Sequence, residues 1–238
     1  MPLESLKIPR TEDIGKPRNA RRTTGTWTHY QPYGFAGMPE TNTETDRSKN
    51  PSSLDLQVNG YGGIDFNQDD LHADDLRTAI AALTRDGVGG ILATIITEDL
   101  AVMCRRIARL VALREQDEAA RRMIVGLHIE GPFINPADGF RGAHPRDAVR
   151  PADVAAMTRL LDAAGGMVRY VTLAPECDAR FAVTRMLANQ GIAVAAGHTD
   201  ASLDQLHGAI DVGLRLFTHL GNGCPGNLPR HDNIVQRA

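Results

Sequence analysis

From Leu54 onward, short apolar runs alternate with longer amphipathic segments, and this alternation restricts the fold more than any other feature. Repeated strand and helix units favour a parallel sheet, in which each strand reaches the next through a crossover helix. Strands are read at Leu54 to Val58, Gly90 to Ile95, Met123 to Ile129, Met167 to Leu173, Ile192 to Ala196 and Leu214 to Thr218. Helices are read near Ala73 to Arg85, Leu100 to Gln116, Pro151 to Ala164, Ala179 to Gln190 and Ser202 to Asp211. Pro151 suits a first helical turn, whereas Gly87, Gly191 and Gly213 suit helix exits. The expected fold class is therefore α/β, a partial TIM (β/α)8 barrel with about six βα units.

A closed barrel needs eight strands and about 250 residues, more than the stretch from Leu54 to Ala238 provides. Two βα units are expected to be missing, which leaves apolar sheet edges, and Asp232 to Ala238 reads as the beginning of another helix. Residues 1–52 are rich in Pro, Gly, Thr, Asn and Arg and show no sustained periodicity. They are expected to form a disordered N-terminal segment, with residues 53–238 as the incomplete barrel.

Composition excludes several classes of function. The chain has 238 residues, 42% of them hydrophobic, and a formal net charge of -3, which is no bulk signature of nucleic-acid binding. No apolar run approaches the roughly 20 residues of a membrane span, and no secretory signal is legible at the N-terminus. A cytoplasmic location is the expectation. Cys104, Cys177 and Cys224 are widely spaced and form no Cys-x-x-Cys pair, so reduced thiols are expected.

Chemistry concentrates at three strand ends. Leu127 to Ile129 runs into Glu130-Gly131-Pro132, Ile192 to Ala196 into Gly197-His198-Thr199, and Leu214 to Thr218 into His219-Leu220-Gly221. Side chains at the carboxyl ends of parallel strands converge on one face, so Glu130, His198 and His219 can surround one ion. A carboxylate with two neutral imidazoles suits Zn²⁺ and leaves a position for water, although such a set also admits Fe²⁺, Mn²⁺ or Co²⁺. Taken singly, the Glu can serve a turn and each His can be structural; their combination carries the metal reading. Thr199, Asp200 and Thr218 are candidates for orienting the ligands.

His128 faces the same side of its strand as Glu130 and is expected to stand behind the ligands rather than bind a second ion. The first strand offers Gln57-Val58-Asn59 where a binuclear hydrolase would use a His-x-His pair, so one metal is expected, with Gln57 orienting a water. Asn59 to Gly63 lacks the Walker lysine and dinucleotide spacing and reads as a tight loop. His144, in the long loop after Glu130, can donate to a substrate oxygen; Arg230 can pair with a phosphate or carboxylate, and a solvated loop Arg is the alternative. Cys224 is read as a packing residue.

The chain resembles the N-acetylglucosamine-6-phosphate deacetylases of the amidohydrolase superfamily from about Leu54 to its end. The resemblance rests on DLQVNGYGGIDFN, GLHIEGPFINP, GAHP, VTLAPE, AAGHTDAS and FTHLGNGCP, in that order. It implies a barrel of the metal-dependent hydrolase type, one divalent metal held by Glu130, His198 and His219, and Gln57 nearby through water. It also implies that His144, Asn222, Gly223 and Arg230 contact the amino sugar or its phosphate, and that water attacks the N-acetyl carbonyl to release acetate and glucosamine 6-phosphate. A homodimer is implied too. Two departures stand beside it: residues 1–52 do not look like the family's small β-sandwich, and the family's general acid/base, an Asp on the eighth strand, has no counterpart by motif. No catalytic residue is therefore assigned. Another amide hydrolase or deaminase of the superfamily, and a catalytically silent remnant, are the alternative readings.

Overall fold

The computed structural model describes residues 53–238, so the expectation for residues 1–52 lies outside the described residues. Six parallel strands form one sheet in sequential order: β1 (Ser53–Val58), β4 (Val88–Ile96), β5 (Ile124–Glu130), β6 (Val168–Leu173), β7 (Ala193–Ala196) and β8 (Leu214–Phe217). A two-stranded antiparallel hairpin, β2 (Gly60–Tyr61) with β3 (Ile64–Asp65), follows β1 and forms the tight loop expected there. Sequential parallel pairing with intervening helices is the arrangement of a partial (β/α) barrel. Among the described residues β1 pairs only with β4 and β8 only with β7, and Leu54, Leu56 and Leu216 on these edge strands are exposed.

Helices α1 (Ala73–Arg85), α2 (Leu100–Glu115), α4 (Val154–Ala164), α5 (Ala182–Asn189) and α6 (Leu203–Asp211) run between the strands. Two more short helices are α3 (Glu118–Met123) and α7 (Ile234–Arg237). None among the described residues is long and apolar enough to cross a membrane. Strand pleating divides each strand between two environments. On β4, Ile91, Ala93 and Ile95 join the main core with Met103, Ile107 and Leu110 of α2 and Met157 and Leu160 of α4. The alternate residue Leu92 joins a separate cluster with Tyr170 and Ala195 on the other sheet face.

Helix starts follow their caps. The Asp99 carboxylate accepts from Ala101 N at 2.9 Å, and Ser202 and Gln205 form a reciprocal capping box on α6. Pro151 does not occupy a first helical turn: Asp153 accepts from Ala156 N at 2.7 Å, so α4 begins three residues later, at Val154. The single helix expected over Ala179 to Gln190 is interrupted, because Arg180 and Phe181 adopt left-handed backbone at φ 57° and 54°. Asp178, buried ahead of that kink, accepts from Val183 N at 3.1 Å and Thr184 N at 2.8 Å and so caps α5. The strand read from Met123 begins one residue later, at Ile124, because Met123 closes helix α3; Asp117 accepts from Ala120 N at 2.9 Å and caps that helix.

Candidate metal centre

Glu130 is the last residue of β5 and is 2% exposed. Its Oε1 lies 3.0 Å from His198 Nε2 and 2.9 Å from His219 Nε2. His198 follows β7 and His219 follows β8, so three strand ends meet at one carboxylate oxygen. A third imidazole comes from the long loop after β5: His144 is 6% exposed, with Nε2 3.2 Å from His198 Nε2 and 3.9 Å from Glu130 Oε1. Both His198 and His219 hold positive φ, 51° and 31°. Left-handed backbone costs a non-glycine residue about 1–2 kcal/mol, and such residues concentrate where function requires a side chain to point a particular way.

Proton bookkeeping shows what the cluster suits. His198 Nδ1 is 2.8 Å from the Phe140 carbonyl oxygen, which can only accept, so Nδ1 carries the hydrogen. In the neutral ring Nε2 is then a bare lone pair, yet it faces Glu130 Oε1 and His144 Nε2 at hydrogen-bond distance. Nδ1 of His144 and Nδ1 of His219 are buried with no hydrogen-bond partner among the described residues. A cation between converging lone pairs relieves this repulsion. Ligand atoms about 2.0–2.1 Å from a tetrahedral Zn²⁺ lie about 3.3 Å from one another, close to the spacings found here. Oxygen and imidazole nitrogen are also the donors such an ion takes, so the residues fit the group. Glu130, His144 and His198 have donor atoms that all lie within 4.8 Å of one another, and His219 reaches the same carboxylate oxygen.

Electrostatics tunes the groups in opposite directions. Burial pushes the Glu130 carboxyl up, but the imidazoles gathered around it, His198 and His219 foremost, outweigh it and hold it below the usual carboxylate range. Burial lowers His144 to about 4, with His198 adding to the effect, so its ring is neutral near pH 7. The hydrogen bond to Glu130 raises His219.

The residues expected behind the ligands are brought close to them. Gln57 Nε2 donates directly to Glu130 Oε2 at 2.9 Å, which turns Oε1 toward the imidazoles. His128 is fully buried, with Nδ1 3.2 Å from Thr94 Oγ1 and Nε2 2.7 Å from Thr172 Oγ1. That chain continues from Thr172 to the Thr218 hydroxyl at 2.7 Å and on to Tyr170 at 2.6 Å. Burial lowers His128 to about 3, so it is neutral within this hydroxyl network. Thr199 donates to Glu176, and the Asp200 carboxylate pairs with Arg237 at 3.1 Å.

Residues expected at the substrate divide between two settings. Gly223 lies against the cluster, since an added Cβ would sit 3.1 Å from both His198 N and His219 Cε1. Asn222 N donates to His219 O at 2.8 Å, and its side chain is exposed. Arg230 is exposed, and its guanidinium makes no ion pair among the described residues. Sequence reasoning missed the Phe140 carbonyl and Glu176. A backbone acceptor leaves no residue-type signal, whereas Glu176 sat in plain view within VTLAPE.

No protein-family model matches the chain. The N-acetylglucosamine-6-phosphate deacetylase of Bacillus subtilis (strain 168) is 31% identical over 230 residues, covering 85% of this chain and 58% of the relative. The solved structure of a mutant N-acetyl-D-glucosamine-6-phosphate deacetylase from Mycobacterium smegmatis, in complex with N-acetyl-D-glucosamine-6-phosphate, superposes with a TM-score of 0.68 at 31% identity. It covers 77% of this chain and 46% of that one. The chain is similar to the N-acetylglucosamine-6-phosphate deacetylases. An N-acetylgalactosamine-6-phosphate deacetylase of Escherichia coli O157:H7 is also 31% identical, over 186 residues, covering 78% of this chain and 48% of the relative. The chain spans about half the length of the deacetylases it matches.

Proposed function

We propose that residues 53–238 form a metal-holding barrel unit for hydrolysis of the N-acetyl amide of N-acetylglucosamine 6-phosphate, giving glucosamine 6-phosphate and acetate. The observation that carries this reading is the meeting of Glu130, His198 and His219 at three strand exits of one parallel sheet, with both imidazoles turned to a single carboxylate oxygen. These three would hold one divalent ion, Zn²⁺ by the chemistry of the donors. Such an ion polarises a carbonyl and lowers the pKa of a bound water toward about 7.

The chain's own residues would do the rest. Gln57 holds Glu130 Oε2, and the Phe140 carbonyl holds the His198 tautomer that leaves Nε2 free. His144, neutral near pH 7, keeps one N–H to donate to a substrate oxygen. The exposed Arg230, whose guanidinium makes no ion pair among the described residues, is suited to the bidentate recognition of a phosphate, with Asn222 and Gly223 in the loop between it and His219. The small-molecule partner is thus a phosphorylated amino sugar; a cytoplasmic homodimer belongs to the same reading.

The test is acetate release from N-acetylglucosamine 6-phosphate by the full 238-residue chain, with and without Zn²⁺, beside Glu130→Gln and Arg230→Ala. Zn²⁺-dependent turnover is expected, reduced at least about 100-fold in Glu130→Gln. Arg230→Ala should raise KM for the phosphorylated sugar and leave the unphosphorylated one unaffected. A folded, Zn²⁺-loaded chain with no turnover would refute the proposal.

A further inference from the structure

We propose that Glu176 is a positioning residue of the metal centre, tying the strand-exit loops after β5 and β7 together so that His198 presents Nε2 to the ion. The inference rests on the metal-centre reading above and adds a residue that touches none of the donor atoms.

Glu176 lies just after β6, in the 3-10 turn Pro175–Cys177. Its Oε1 accepts from Asn135 Nδ2 at 2.9 Å and from Asp200 N at 2.7 Å, while Oε2 accepts the Thr199 hydroxyl. Asn135 in turn donates its backbone N–H to the His198 carbonyl at 2.9 Å. One carboxyl group therefore fixes the two residues after His198 and, through Asn135, the carbonyl of His198 itself. Three consecutive strand exits are joined in this clasp.

The clasp has a physical task. His198 sits at φ 51°, where a non-glycine residue persists only if its surroundings over-determine the backbone. Relaxation to an ordinary φ would swing the Cα–Cβ bond and carry the imidazole away from Glu130. The bonds to Thr199, Asp200 and the His198 carbonyl oppose that rotation from the C-terminal side, as Gly197 N to Leu173 O at 3.1 Å does from the other. The Thr199 hydroxyl also accepts from Ala201 N at 3.0 Å, which ties the turn to the helix that follows.

The test uses the full chain with Zn²⁺ as the probe, in Glu176→Ala, Glu176→Gln and Thr199→Val. Zn²⁺ Kd is read by competition with a chromophoric chelator, the ligand field from visible bands of the Co²⁺-loaded protein, and stability from the metal-free Tm. Glu176→Ala is expected to weaken Zn²⁺ about 10- to 100-fold and to alter the Co²⁺ bands, the range seen when groups that orient metal ligands are removed. Glu176→Gln keeps an acceptor for Asn135 and Asp200 and should restore Kd to within about threefold. A fall in Tm with Zn²⁺ Kd and Co²⁺ bands unchanged would overturn the inference, because it describes a merely structural residue. Should Glu176→Ala not fold, Thr199→Val decides: a weaker Kd supports the clasp and an unchanged one overturns it. If the wild type binds Zn²⁺ no better than Glu130→Gln, the metal-centre reading itself fails and the inference falls with it.

Discussion

Replacing Gly223 with Ala probes the geometry of the site through one added methyl group. The new Cβ would lie 3.1 Å from His198 N, 3.1 Å from His219 Cε1 and 3.2 Å from His198 Nδ1, against ordinary contacts of 3.4–4 Å. At least one imidazole must therefore move by about 0.3 Å, whereas metal–ligand distances tolerate about 0.2 Å. Both rings are tethered by hydrogen bonds, His198 to the Phe140 carbonyl and His219 to Glu130, so the displacement cannot be absorbed freely. Overpacking of this kind costs about 1–3 kcal/mol of stability. Zn²⁺ affinity should fall at least about tenfold, equivalent to about 1.4 kcal/mol. The assay is a chelator-competition titration alongside urea unfolding. Gly226→Ala is the control in the same loop: nothing lies within 4 Å of its added Cβ, so both quantities should stay within about 0.5 kcal/mol of wild type. Wild-type Zn²⁺ affinity in Gly223→Ala would refute the tight contact on which the reasoning stands.

Two further outcomes concern neighbouring groups away from the ion, the buried Asp178 and the half-buried Cys177. Asp178→Ala removes three hydrogen bonds at the start of α5, two of them to backbone N–H groups, and should lower unfolding stability by about 2–4 kcal/mol in urea titration; a loss below about 0.5 kcal/mol would deny its capping role. Cys177, which burial raises to about 12 and which donates to Ile134 O at 3.3 Å, should carry only about one thiolate in 10⁴ at pH 8. Labelling with a maleimide followed by peptide mass mapping should leave Cys177 unmodified in the folded chain, and rapid modification there would contradict the raised thiol.

Much of the fold was legible because local chemistry and tertiary packing agree. Helix α1 spans Ala73–Arg85 as its apolar spacing requires, with Leu76, Ala79, Ile80 and Leu83 all buried on one face. The strand expected over Gly90 to Ile95 lies within β4, since a continuous apolar run suits a strand covered on both faces. Misreadings fell where a polar side chain decides the backbone: Asp153 sets the start of α4 and Asp178 compensates the kink before α5. Neither can be read from periodicity, because a carboxylate's choice of N–H depends on where the chain already lies.

The same division holds at the site. Residue type and strand-end position sufficed to select Glu130, His198 and His219, since parallel strands deliver their carboxyl ends to one face whatever the loops do. Gln57 and His128 were also selectable, because pleating assigns each to a side of its strand. Only the tertiary structure could bring His144 within 3.2 Å of His198, or set the Phe140 carbonyl and the Glu176 carboxyl as the groups that orient it. Those contacts join residues 23 to 58 positions apart in sequence, through loops that carry no period. Strand periodicity is a local property written in the order of residues; the meeting of loops is settled by how the completed sheet aims their ends.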